Sequence, residues 1–176
     1  MFDKESPEAK LRSKFWESLK GDRTVMLGLK GVEDDRTRPM TALIDEGDGG
    51  GDSEERGTIY FFGSKTDGIG QDLQRSTRAV AAFSSKGHDI FAHIHGTLSP
   101  SDDRAVIDRL WNPIIASWYK DGKDDPDLQL IRFDADKADV WEASQFATLK
   151  AAALKMMFNV DPGKEHSNEH RATVDL

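Results

Sequence analysis

Five short apolar runs in the first hundred residues constrain the fold more than any other feature of the sequence. Each is rich in β-branched and aromatic residues and is followed by turn formers, a pattern that predicts β-strands. The runs cover residues 23–29, 38–44, 57–63, 78–84 and 89–99. Only one short helix, within residues 67–76, is predicted between them, so the strand–helix alternation of a parallel sheet is missing. We therefore predict an α+β fold, mainly β: a small antiparallel barrel with peripheral helices.

Helical patterns flank the strands. Ser6 and Pro7 begin a first helix that ends at Gly21, and a second begins at Ser101 or Asp102 and is interrupted by Pro113. Two further strands are predicted at 128–133 and 137–143, with a turn at 134–136. A closing helix at 144–158 and a polar tail complete the chain.

The composition narrows the classes of function. The 176 residues fit one domain, 1–176, with a core at about 15–143. A formal net charge of −8 disfavours sequence-independent nucleic-acid binding, which needs clustered cations. The absence of cysteine excludes disulfides, thiolate catalysis and cysteine-based zinc sites. Without a signal-like segment or a membrane-length apolar run, we expect a cytoplasmic protein with no membrane partner.

The segment "GSKTDG" after the third strand is a candidate phosphate site. A strand that ends on Gly, Ser and Lys before a helix can offer backbone N–H groups, the Ser64 hydroxyl and the Lys65 charge. The spacing of a P-loop is absent. Arg38 is a second candidate anion ligand, and Pro39 indicates an edge or a ligand-facing position. An ordinary polar turn and a surface arginine are the alternatives.

Two histidine pairs have the spacing of metal ligands. His93 and His95 would point to one face of a strand, but no carboxylate partner is evident nearby, so a half-exposed polar face is the favoured interpretation. His166 and His170 lie four apart in a tail of weak helix propensity. We therefore predict no metal site. No nucleophile motif supports Ser/His/Asp catalysis.

Four aromatic residues are concentrated in the second half of the chain: Trp111, Trp118, Tyr119 and Trp141. Aromatic side chains at this density can wall a flat ligand by stacking. The alternative is that they belong to the core or to a dimer interface.

Several segments occur in an order that resembles a known family. They are "RPMTAL", "GTIYFFGSKTDGIGQDL", "RAVAAFSSKGHDIFAHIHGTLSP" and, most specifically, "LWNPIIASWYKDGKDDPDLQLIRF". Together they resemble the general stress protein 26-like branch of the pyridoxamine 5'-phosphate oxidase-like flavin proteins. The resemblance covers roughly residues 15–143. It implies a split β-barrel that binds FMN non-covalently in a homodimer, with both chains lining each cofactor site.

The resemblance also implies a set of cofactor-binding residues. They lie on the strand beside the flavin ring, on the neighbouring strand, in the phosphate turn and on a helix near the dimer region: Arg38, Pro39, Met40, Phe61, Phe62, Ser64, Lys65 and Trp111. Relatives carry a second basic residue shortly after the Ser-Lys pair. This chain has Gly68, Ile69 and Gly70 there, so Arg75 or Arg78 could compensate.

Three functions follow from the resemblance. The first is a stress-response FMN protein that acts as a flavin-dependent oxidoreductase or flavin reductase, with His95 as a conceivable proton-transfer residue by its strand position alone. The second is a non-catalytic FMN carrier or sensor. The third, a true pyridoxamine 5'-phosphate oxidase, ranks lowest because the tail lacks a recognisable basic motif for the substrate phosphate. The acidic, Gly-rich segment 45–57 is interpreted as a hairpin insertion outside the site.

Overall fold

The computed structural model describes residues 6–47, 57–75, 77–143 and 171–176. Its strands are β1 (Thr24–Leu29), β2 (Arg38–Thr41), β3 (Thr58–Ser64), β4 (Arg78–Ser84), β5 (Ile90–Ser101), β6 (Leu128–Glu142) and β7 (Arg171–Asp175). Its helices are α1 (Pro7–Asp22), α2 (Gly68–Asp72), α3 (Arg104–Leu110) and α4 (Pro113–Ala116), and short 3₁₀ turns cover Glu33–Asp35 and Gly122–Asp124. The five predicted strands, the capped first helix and the restart at Pro113 are confirmed.

All seven strands form one antiparallel sheet in the order β2-β1-β4-β5-β6-β3, with β7 also paired to β6. The two ends of this order meet where Leu43 and Tyr60 exchange a pair of 2.9 Å backbone hydrogen bonds. The sheet is therefore a nearly closed barrel, as the sequence predicts. None of the helices within the described ranges is long and apolar enough to cross a bilayer.

Helix α1 covers part of the barrel with its apolar stripe. The Ser6 hydroxyl accepts a 3.1 Å hydrogen bond from the Ala9 amide, and Pro7 takes the first helical position, where its missing N–H costs nothing. The buried side chains of the stripe join those of the strands in the main core: Leu11, Phe15, Trp16 and Leu19. This burial anchors α1, since most helical stability in proteins comes from tertiary packing.

The predicted turn at residues 134–136 is wrong. Strand β6 runs continuously from 128 to 142, and the register against β5 shifts so that Asp136 is an extra residue, a β-bulge. The Arg78 guanidinium donates a 2.6 Å hydrogen bond to Asp136, and Ala135 and Ala138 on either side are buried. The polar residues on the outer face of this bulged strand have the composition of a turn, and this is why a turn was predicted here.

The polar tail contains a strand that the sequence analysis did not predict, because Arg171–Asp175 forms β7. This strand pairs with β6 at 137–141, beyond the part of β6 that pairs with β3. Val174 is buried in the core, which holds the strand in place. The predicted closing helix, His166, His170 and residues 48–56 of the acidic insertion lie outside the described residues.

Candidate functional site

A cleft of about 530 Å³ opens between β2, the end of β3 and α4. Its apolar lining comes from all three elements and from the chain between them: Pro39, Met40, Leu43, Phe62, Ile114, Ile115 and Trp118. Its polar lining consists of Arg23, Thr41, Ser64, Asn112, Tyr119 and Asp127, with Gly63 among them. A largely apolar cleft of this size with a few polar groups is typical of a site for a small molecule or cofactor.

The pleat of β3 separates its two phenylalanines. Phe61 is fully buried and packs against Phe133 in the core, with ring centroids 6.5 Å apart. Phe62 points to the opposite face, is half-buried and lines the cleft, as does Ser64 two residues later. Of the predicted pair, the structure therefore brings the Phe62 side chain to the cleft and leaves the Phe61 side chain in the core.

Strand β2 supplies the facing wall. Pro39 and Met40 line the cleft, whereas Arg38 does not. Strands β2 and β3 are at opposite ends of the sheet order. They approach each other at the bridge between Leu43, just after β2, and Tyr60 in β3. The two predicted wall segments thus share the cleft because the barrel closes, not because they form one ladder.

Helix α4 is set in place by the Asn-Pro pair of the most specific motif. The Asn112 side-chain oxygen accepts hydrogen bonds from the amides of Ile114 (3.0 Å) and Ile115 (3.1 Å), and Pro113 begins the helix. Just beyond the helix, the Tyr119 hydroxyl donates a 2.9 Å hydrogen bond to the Gly63 carbonyl. The cap fixes the start of α4, and the Tyr119 hydrogen bond attaches the chain just after α4 to β3.

Trp111 lies behind this wall. Its ring packs edge-on against Phe62 at 5.8 Å and tilted against Tyr119 at 6.1 Å. It also lines a neighbouring cleft of about 470 Å³. There the Arg109 guanidinium donates two hydrogen bonds, of 2.9 and 2.8 Å, to the Asp45 carboxylate. Trp111 therefore supports the first cleft through its neighbours and faces the second directly.

The turn that follows β3 is closed by its own side chains. The Ser64 hydroxyl oxygen accepts hydrogen bonds from the amides of Thr66 and Asp67, both at 3.1 Å. The Lys65 amide donates to the Asp127 carbonyl at 2.9 Å, and the Gly68 amide donates to the Asp67 carboxylate at 2.6 Å. Because these four amides already have partners, an anion at this turn would have to be held by side chains.

Asp127 brings a negative charge into the same turn. Its carboxylate accepts hydrogen bonds from the Thr66 amide (3.1 Å) and the Thr66 hydroxyl (2.8 Å). Hydrogen bonds from the Ser64 and Thr66 side chains lower the pKa of Asp127, so the group is ionised at neutral pH. Burial, with Asp127 and Asp125 nearby, raises the pKa of Tyr119 to about 12, so this hydroxyl is neutral.

The two predicted phosphate cations have different surroundings. Lys65 is exposed on the turn, next to Ser64. The Arg38 guanidinium lies against Gly68 and is 3.6 Å from carboxylate oxygens of both Glu33 and Asp72. A β-carbon added to Gly68 would be 2.7 Å from Arg38, so Arg38 fills the space that a side chain at position 68 would need. Arg78, one of the two arginines named as possible second phosphate cations, is paired with Asp136.

Comparison with known proteins places the chain in a family. Residues 10–160 match the family described as pyridoxamine 5'-phosphate oxidase like. The chain belongs to this family. No curated protein matches it.

Solved structures that are similar to this chain include several general stress proteins. A general stress FMN/FAD binding protein from the phytopathogen Xanthomonas citri is 52% identical, with a TM-score of 0.67 over 77% of this chain and 91% of that one. A general stress family protein from Xanthomonas campestris pv. campestris is also 52% identical, with a TM-score of 0.68 over 82% and 92%. A general stress protein 26 from Jannaschia sp. CCS1 is 27% identical, with a TM-score of 0.72 over 96% and 99%.

Several cleft residues were not among the sequence-based candidates. Asn112 and Asp127 lie inside the segment that carries the most specific resemblance, and that segment was the available signal for them. Trp118 and Tyr119 were considered only as an aromatic group. His95, the conceivable proton-transfer residue, is not among the residues that line the cleft. The predicted cofactor residues that do line it are Pro39, Met40, Phe62 and Ser64.

Proposed function

We propose that this chain binds FMN in the cleft between β2, β3 and α4 and acts as a flavin-dependent oxidoreductase or flavin reductase. The observation that carries the proposal is the cleft itself, with Pro39 and Met40 on one strand and Phe62 on another. A flat aromatic ring system needs such apolar walls, together with a few polar groups at its edge. The Xanthomonas citri relative, 52% identical, is described as an FMN/FAD binding protein, which supports a flavin.

The residues at the end of β3 select among flavins. We assign the phosphate to the Lys65 ammonium, which is exposed beside the cleft residue Ser64. A single cation matches the one phosphate of FMN better than the diphosphate of FAD, and this favours FMN. Asp127 would repel a phosphate that approached from its side, so the phosphate would lie towards Lys65. When bound, the flavin supplies the electron and hydride transfer that side chains cannot perform.

The cleft offers little for proton transfer. Among the described lining residues, the titratable groups are Arg23, Tyr119 and Asp127. The raised pKa of Tyr119 and the lowered pKa of Asp127 keep both in one protonation state near pH 7. This favours a reaction in which the flavin exchanges hydride or electrons without a protein acid. The same observation favours the second candidate, a non-catalytic FMN carrier or sensor.

We also propose that the working unit is a homodimer. Ile114 and Trp118 line the cleft, yet they are 76% and 80% exposed in the isolated chain. Large apolar side chains clustered at the mouth of a cleft are typical of a surface that a partner covers. A second copy seated on α4 would shield them and narrow the opening of the cleft.

A visible spectrum tests the shared premise. Purified protein, as isolated and after titration with FMN, is expected to show flavin absorption and saturable binding of one FMN per chain. FAD and riboflavin titrated in parallel give the flavin preference. No flavin absorption combined with no uptake of any flavin would overturn both candidate functions.

Rapid mixing separates the two candidates. The FMN-loaded protein is mixed with NADH or NADPH without oxygen, and the flavin absorbance is followed. Bleaching much faster than that of free FMN supports the reductase, whereas a flavin that stays oxidised with both donors supports the carrier or sensor.

A further inference from the structure

Two histidines and an aspartate converge on the outer face of the sheet. His93 and His95 are two residues apart on β5, and Asp139 lies directly opposite His93 on β6. The two imidazole rings have centroids 4.7 Å apart. One ligand atom from each of the three side chains can be chosen so that all lie within 4.8 Å of one another. The carboxylate that the sequence did not reveal is therefore supplied by the neighbouring strand.

We propose that His93, His95 and Asp139 form a binding site for a divalent transition-metal ion of the zinc class. Zn²⁺ binds histidine nitrogen and carboxylate oxygen at about 2.0–2.2 Å, which places tetrahedral ligand atoms roughly 3.4 Å apart. The paired ladder fixes the three backbones, so side-chain rotation is what would bring the ligand atoms from within 4.8 Å of one another to this spacing. Three protein ligands leave a fourth position for water or another ligand.

Strand β7 orients the aspartate. The Thr173 hydroxyl donates a 2.6 Å hydrogen bond to one carboxylate oxygen of Asp139, and the Arg171 guanidinium lies 4.0 Å from the same oxygen. The second oxygen is left for a metal. Outer partners of this kind fix the orientation of a ligating group and distinguish a built site from a chance pair of histidines.

Two lysines lie beside the cluster, and the types of its ligands determine which ions it suits. Lys30 Nζ lies 3.3 Å from His95 Nδ1, and Lys137, opposite His95, adds another positive charge. Mg²⁺ and Ca²⁺, which need several oxygens, are poorly served, whereas an imidazole-binding ion such as Zn²⁺ is favoured. Lys30 competes with the metal for His95.

The proposed metal site is independent of the proposed flavin site. None of its three residues lines the cleft, which opens beside α4. Zinc binding therefore stands or falls without reference to FMN.

Isothermal titration of metal-free, full-length protein with ZnCl₂ tests the proposal. The parent is expected to bind one Zn²⁺ per chain at this site. His93→Ala, His95→Ala and Asp139→Asn should each weaken binding by at least about tenfold, and Thr173→Val by roughly tenfold, the low end of the effect of an outer partner. Lys30→Met should tighten binding, because it removes the competitor of the metal and keeps the aliphatic stem.

His88→Ala is the matched control, because it removes a histidine from the turn before β5 and leaves the cluster intact. It should bind Zn²⁺ like the parent. Circular dichroism and thermal melting establish that each variant is folded, and His93→Gln repeats the test if His93→Ala does not fold. Equal affinity in the parent, His93→Ala and His93→Gln, or an equal loss in His88→Ala, would overturn the site.

Discussion

The exposed ammonium of Lys65 is the group to which we assign the phosphate of the cofactor. Lys65→Ala should weaken FMN binding by roughly 10- to 100-fold, since a hydrogen bond to a charged group contributes about 1.5–3 kcal/mol. Riboflavin, which has no phosphate, should bind the variant and the parent equally. Fluorescence titration with both flavins measures the difference.

Lys86→Ala is the control for the Lys65 substitution. Lys86 is also an exposed lysine, in the turn between β4 and β5, so its removal changes the net charge equally. Lys86→Ala should leave the FMN affinity unchanged. An equal loss of FMN and riboflavin binding in Lys65→Ala would mean that the phosphate lies elsewhere.

Gly70 allows α2 to pack directly on the end of β3. A β-carbon at this position would lie 1.9 Å from the Ser64 carbonyl oxygen, an impossible contact with backbone atoms. We expect Gly70→Ala to destabilise the protein by about 1–3 kcal/mol, the usual cost of overpacking. Urea denaturation measures the change.

Gly21→Ala is the comparison for that substitution. Gly21 lies in α1, and an added β-carbon would meet nothing within 4 Å. The higher helix propensity of alanine should leave stability unchanged or raise it by up to about 1 kcal/mol. A Gly70→Ala protein as stable as Gly21→Ala would show that α2 can move away from β3 at little cost.

At the scale of elements, the N-cap of α4 links stability to the cleft. Asn112→Ala removes the acceptor for two backbone amides and should cost about 0.5–2 kcal/mol. Because α4 forms one wall of the cleft, flavin affinity should fall as well. Thermal denaturation and FMN titration of the same preparations measure both effects.

Ser6→Ala is the control that separates an effect on the cleft from a general loss of stability. Ser6 caps α1, which does not line the cleft, through the same kind of side-chain bond. A similar loss of stability with unchanged FMN affinity is expected. If both variants bind FMN like the parent, the position of α4 does not control the cleft.

At the scale of the whole molecule, the exposed side chains of Ile114 on α4 and Trp118 just after it predict self-association. Light scattering after size exclusion should give about twice the chain mass of 19.6 kDa for the parent. Trp118→Glu places a charge on the proposed interface and should shift the protein towards the monomer. Phe91→Glu, a charge placed at an exposed aromatic on β5, serves as the control and should remain dimeric. If the Phe91→Glu protein became monomeric while the Trp118→Glu protein stayed dimeric, the interface would lie on the outer face of the sheet.

The sequence by itself determined the class of the fold and the position of most elements. Alternating apolar residues, turn formers and helix caps act over a few neighbouring residues, so α1 and the first five strands could be predicted. The predicted secondary structure was wrong or incomplete where the amino-acid composition of a segment did not reflect its backbone conformation. The bulged polar stretch around Asp136 has the composition of a turn, and β7 has little apolar character apart from the buried Val174.

Only the tertiary structure decided which side chains meet. Barrel closure brings Pro39 towards Phe62, and strand pairing places Asp139 opposite His93, 46 positions earlier in the chain. The closing hydrogen bonds of the turn, including those to Asp127, likewise join segments that are distant in sequence. Long-range register depends on the packing of the whole sheet, which no local pattern encodes. The sequence therefore indicated the kinds of groups available for a site, and the fold determined which of them share one.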